Sequence, residues 1–239
     1  MRRMMLNWLA LIAACAAIDA NLALAAGQMM SGGQGQPGGR PTSSVGQPDE
    51  EVSTSSDVKP DVAAKKAYNS AMKALNKAKE YEAMAAAAPN ADKKGAALEK
   101  MNDNYNKALD LFTEALSNKG DMVEAWDNVG YVHLRLGAYA EAVDDYNHVL
   151  ALKPDLLEAI AHRAEANLAL DRLGDVEVAY MDLFAHAPAL ATQLMLAMQK
   201  WLVEHRDDAR GMRPADVAAF DKWLQERDSV AQQAAAPPH

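Results

Sequence analysis

The chain is 239 residues long, 50% hydrophobic, with 33 Asp and Glu against 24 Lys and Arg and a net charge of −9. That balance argues against a general nucleic-acid binder, which needs a basic face to displace counterions. The single Cys excludes an internal disulfide framework and any cluster of thiolate metal ligands, and the Ala-rich composition fits a mostly helical protein.

Residues 1–25 read as a secretory signal peptide of bacterial type. Arg2 and Arg3 are followed by the apolar run Met4–Ile18, and Ala23-Leu24-Ala25 offers the small residues of a cleavage site after Ala25. A membrane anchor competes, but Asn7 interrupts the run, which is shorter than the about 18 apolar residues of a span. Ile12-Ala13-Ala14-Cys15 also resembles a lipobox, in which Cys15 would be lipidated. Against this, the residues after Cys15 stay hydrophobic through Leu24 rather than opening into a polar tether. The expected location is the periplasm or the exterior, with an anchored lipoprotein as the alternative. Loss of Arg2, Arg3 and Asp19 with the leader would leave a net charge of −10.

Residues 26–59 are expected to be a disordered linker of Gly, Gln, Ser, Pro and acidic residues, too poor in apolar side chains to offset ordering entropy. Gly33-Gln34-Gly35-Gln36-Pro37-Gly38 fits the dinucleotide fingerprint only as a string, because no strand precedes it and no helix follows. Residues 60–122 read as a helical hairpin. Asp61–Ala88 is rich in strong helix formers, Pro89-Asn90-Ala91-Asp92 breaks it, and a second helix runs from about Lys94 to Ser117 before Asn118-Lys119-Gly120. No stretch alternates with period two long enough to be a strand.

Pro154 and Pro188 are 34 residues apart. On that period one unit spans 123–156 and carries Trp126, Gly130, Gly137, Ala142, Tyr146 and Pro154. Small Gly130 and Ala142 let two antiparallel helices approach where Trp126 and Tyr146 need room, Gly137 makes the turn, and Pro154 stops the second helix. This unit resembles the tetratricopeptide repeat family, departing at Val149 and His133, where Ala and Tyr are usual. The preceding segment matches in its second half through Tyr105, Ala108, Leu109, Phe112, Ala115 and Leu116. Residues 157–190 form a degenerate unit in which Ala164, Tyr180 and Pro188 hold their places, while Ile160 and Val176 replace Trp and Ala. Leu194, Met198 and Trp201 suit one more first helix, and Pro214 opens a final helix with Val217, Phe220 and Leu224 on one side. Residues 191–230 are therefore expected to cap the stack, and 231–239 to be a disordered tail.

The resemblance implies an all-α fold, a short right-handed superhelix of helical hairpins. It also implies a concave face lined by the first helix of each repeat. In this chain that face would carry Glu124, Asp127, Asn128, Tyr131, Leu134 and Arg135, followed by Glu158, Ala161, His162, Glu165, Leu168 and Ala169. The family's best-known ligand mode clamps a C-terminal carboxylate with cationic and Asn side chains. Only Asn128 is suitably placed for that here, and Asp127 and Glu158 stand where cations would be required, so carboxylate capture is excluded. Between 121 and 188 there are 13 acidic and four basic residues. The expected partner is a basic or amphipathic protein segment, against the alternative of an acidic surface that only maintains solubility.

No catalytic site is expected. His162 and Glu165 lie three apart on one helix, with His133 and His148 in the repeat before, but catalytic zinc usually takes three ligands and no His-Glu-x-x-His string occurs. Asp144 and Asp145 are adjacent, so on a helix they diverge. No metal or cofactor is expected. The expected function is a non-enzymatic scaffold or assembly factor of the bacterial envelope. The alternatives are a self-associating envelope protein that buries the apolar 190–203 helix against its copy, and, more remotely, a metal-dependent hydrolase.

Overall fold

The computed structural model describes residues 59–206 and 212–235. The expected leader, the possible lipidation site at Cys15 and nearly all of the linker lie outside the described residues. Within them there are eight α-helices and no strand: α1 (Pro60–Ala86), α2 (Ala91–Asn118), α3 (Val123–Leu136), α4 (Tyr139–Leu152), α5 (Leu157–Ala169), α6 (Leu173–His186), α7 (Pro188–His205) and α8 (Pro214–Ala235). Each helix packs on the next, and α5 also packs on α3 and on α7. This is a stack of helical hairpins, an all-α solenoid of the tetratricopeptide type.

Local chemistry sets the boundaries. Pro60 occupies the first turn of α1, where its missing N–H costs nothing. The second helix begins at Ala91, earlier than the break at 89–92 suggests, because the Asn90 side chain accepts a hydrogen bond from the Lys93 N–H at 2.9 Å. Gly137 ends α3 at φ 80°, and the N–H groups of Gly137 and Ala138 return to Leu134 and His133 carbonyls, closing the turn into α4. Pro188 opens α7 directly after Ala187, so it is both the stop of one hairpin and the start of the next helix. The last helix continues to Ala235, beyond the boundary at 230 expected for the cap.

The repeat spacing shows in the packing of α3 on α4. A Cβ built on Gly130 would lie 3.0 Å from Cζ of Tyr146, so only glycine lets this ring seat without displacement. Tyr146 is fully buried, in a cluster with Leu134, Ala142, Val149, Ala159 and Ala166 against which Trp126 packs. Trp126 also lies against His148 at a centroid distance of 4.3 Å, the rings tilted by 46°, and donates its indole N–H to the Gly120 carbonyl at 2.8 Å. A second buried cluster joins α1, α2 and α3 around Tyr105 and Phe112. A third runs from Ile160 to Leu224 and centres on Leu183, Met198, Trp201 and Phe220.

One turn departs from glycine chemistry. Asp171, between α5 and α6, sits at φ 59°. Its carboxylate accepts the Trp201 indole N–H at 3.1 Å and lies 3.8 Å from His205 Nε2. His205 stacks on Trp201 at 4.1 Å. The side-chain bonds offset a left-handed backbone that would otherwise favour glycine or asparagine.

Candidate functional site

The odd-numbered helices form one wall, and side chains join them directly. Asn128 of α3 reaches the Tyr68 hydroxyl of α1 at 3.4 Å, the Lys79 ammonium lies 4.2 Å from the centre of the Tyr131 ring, and Glu82 pairs with Arg135. Onward, the Tyr131 and His162 rings meet at 6.0 Å between α3 and α5. Tyr105 of α2 donates its hydroxyl to Glu82 at 2.9 Å, so this carboxylate links three helices.

The nine expected concave-face residues other than Ala161, Leu168 and Ala169 divide by burial. Tyr131, Leu134, Arg135, His162 and Glu165 are buried. Leu134 belongs to the cluster around Tyr146, and Arg135 is committed to Glu82. The structure therefore uses these five in packing between neighbouring helices. Glu124 is exposed, while Asp127, Asn128 and Glu158 are partly exposed. These four are the accessible part of the wall.

Their electrostatics are unusual. Burial pushes the Asp127 carboxyl up to about 6, Glu158 and then Glu124 push in the same direction, and Lys79 opposes them. The Tyr68 hydroxyl is also raised, first by burial and then by Glu124. A desolvated carboxylate flanked by two others lacks a full counter-charge, and an incoming cation would supply it.

The raised value makes Asp127 a liability at neutral pH. Its folded value lies above the ordinary 3.8, so its contribution is most favourable below about pH 4 and is lost as pH rises through about 6. Asp127→Asn should therefore stabilise the free protein at pH 7.5 by about 2–3 kcal/mol and have little effect at pH 4. Urea midpoints at the two pH values check this.

Residues of α1 complete the wall, and repeat register does not point to them. The helix is 27 residues long without the repeat's marker positions, so Tyr68, Lys79 and Glu82 gave no spacing to follow. The only available hint was the Lys79, Glu82 pair at i, i+3, which places both on one helical face. His133 and Asp145 form another unforeseen contact, at 2.6 Å between the two helices of the central hairpin. Among the described residues no helix is long and apolar enough to cross a membrane.

Comparison with known proteins agrees with this geometry. Residues 123–156 match the tetratricopeptide repeat family model. The chain is also similar to a Protein SGT1 homolog of Oryza sativa subsp. japonica, 26% identical over 145 residues, which is 58% of this chain and 39% of that protein. The chain therefore spans well under half the length of that relative. Residues 123–156, from α3 through the turn after α4, thus match a tetratricopeptide repeat in sequence and in helical pairing, and the hairpins on either side extend the stack into a short solenoid.

Proposed function

We propose that this protein is a non-enzymatic interaction scaffold whose concave face takes a basic or amphipathic segment of a partner protein. The observation that carries the proposal is the Asp127 carboxylate, with one oxygen left without a hydrogen-bond partner, grouped with Glu158 and Glu124 at the accessible part of the wall and raised by burial and these neighbours to about 6. A partner's Lys or Arg placed there supplies the missing counter-charge, so the complex favours the ionised carboxylate. The acidic 121–188 segment, with 13 acidic against four basic residues, steers such a partner towards the face. The leader-like residues 1–25 support a role in the bacterial cell envelope, as scaffold or assembly factor.

Fluorescence anisotropy with a labelled Lys-rich peptide and its Glu-substituted counterpart tests this. The cationic peptide should bind, and its affinity should fall steeply between 50 mM and 500 mM salt. Affinity should rise as pH is raised from 5 to 7, because binding requires the ionised Asp127. Asp127→Asn with Glu158→Gln should weaken binding about five- to tenfold. Preference for the acidic peptide, or binding indifferent to salt, would rule the proposal out.

A further inference from the structure

Oxidation converts a methionine thioether into a sulfoxide, so a weak hydrogen-bond acceptor becomes a strong one. Exposure and neighbours decide whether that change damages a fold or serves it. Met101, Met195 and Met198 are buried in this chain, whereas Met84 and Met181 are 57% and 43% exposed. Met181 stands on α6, and its sulfur accepts from Nη1 of Arg227, on α8, at 4.0 Å. The guanidinium carries five N–H donors and is poorly supplied with acceptors. Its Nε is buried without a hydrogen-bond partner, and its Nη2 lies 3.9 Å from the Glu226 carboxylate. It also lies 5.9 Å from the centre of the Trp223 ring, which meets Tyr180 of α6 edge-on at 5.5 Å. Since α8 packs mainly on α7, these side-chain contacts tie its later turns to α6. Arg227 is thus held at the junction of two helices, with a thioether where a stronger acceptor would fit.

We infer that Met181 is a reversible oxidation site whose sulfoxide is received by Arg227, so that oxidation fastens α8 onto α6. The oxidant is a peroxide. The sulfur lone pair attacks the peroxide oxygen, an S–O bond forms as the O–O bond breaks, and the departing hydroxide takes up the remaining proton and leaves as water. Sulfur loses two electrons and the peroxide gains them. The new oxygen stands one bond closer to the guanidinium than the sulfur does, which turns a 4.0 Å contact into ordinary hydrogen-bond reach. Because the donor is a cation, the resulting bond is charge-assisted and stronger than the contact it replaces. The unbranched thioether turns easily about its bonds, so an oxygen added on the solvent side can swing towards Arg227. A buried methionine has neither this access nor this acceptor role, and its oxidation would only place a polar group in the core.

The test treats the full chain with dilute hydrogen peroxide and follows each methionine by peptide mass mapping. Met181 should oxidise several-fold faster than Met101, Met195 and Met198. Oxidation should raise the melting temperature by about 2–4 °C, and methionine sulfoxide reductases should return it to the starting value. The rise should be absent in Met181→Leu and in Arg227→Leu, which also read out whatever Met84 and the other methionines contribute. An arm without oxidant uses Met181→Gln, which supplies a carbonyl acceptor on a side chain of similar length. It should melt above Met181→Leu when Arg227 is present and lose that advantage when Arg227 is Leu. A melting temperature that falls or stays level on oxidation overturns the inference, as does a rise that persists in Arg227→Leu, or a Met181 that oxidises no faster than the buried methionines. Should Arg227→Leu fail to fold, Met181→Gln decides: melting at or below Met181→Leu overturns the inference.

Discussion

Glu82→Ala should cost about 3–5 kcal/mol of stability, one of the two largest losses expected in this chain. Glu82 sits between the Arg135 guanidinium, whose side chain is 2% exposed, and the Tyr105 hydroxyl. Removing the carboxylate leaves a buried cation with no counter-ion and a buried hydroxyl with one partner fewer. The loss should appear in chemical denaturation as a lower midpoint. Adding Arg135→Met to Glu82→Ala should recover much of it, because a hydrophobic replacement removes the stranded charge. A loss under about 1 kcal/mol would show the pair behaving like a surface ion pair. The link from α1 and α2 to the central repeat would then rest on apolar contacts alone.

The second large effect belongs to Tyr146 and Gly130. Tyr146→Ala removes a fully buried ring between α3, α4 and α5, where it also faces the His162 ring at 5.7 Å, and should cost about 3–5 kcal/mol. Gly130→Ala has two opposing contributions. Alanine favours the helix by about 1 kcal/mol, but its Cβ meets Tyr146 ring atoms at 3.0, 3.1 and 3.2 Å. The ring is hemmed in on all sides, so overpacking should win, with a net loss of about 1–2 kcal/mol. In a Tyr146→Leu background the clash disappears, and Gly130→Ala should become stabilising. That reversal of sign, read in a double-mutant cycle by urea denaturation, separates a close-packing role for Gly130 from a purely conformational one.

The central hairpin was legible because its markers are few and rigid. A glycine facing a tyrosine, a turn glycine and a proline 34 residues from the next one suffice to place α3 and α4. Depth of burial was not legible. Register puts His162 and Glu165 on the same wall as Glu158, but the distance between neighbouring first helices decides which side chains remain accessible, and that distance is set by Tyr131, Arg135 and the α1 residues together. The contribution of α1 was hidden for a related reason. Its packing relies on Ala64, Ala67, Ala71, Ala74 and Ala78, which carry no repeat signature, so nothing in the spacing singled out Lys79 or Glu82. The early start of α2 depended on one Asn90 side chain, a local capping contact that a Pro-Asn pair conceals by reading first as a break. Trp126 was expected to need room beside Tyr146. It packs against the cluster that holds Tyr146, and it also sets its ring against His148 and its N–H on Gly120.

The Asp171 turn has a mechanical consequence. In stacked repeats each hairpin touches only its neighbours, so order is commonly lost from the ends inward, one unit at a time. Here a carboxylate at the bend of one hairpin grips an indole in the helix after the next, and a continuous apolar cluster from Ile160 to Leu224 fills the space beneath. The last hairpin therefore cannot peel away without releasing the bend behind it. The carboxyl-terminal half is therefore expected to melt as one cooperative block.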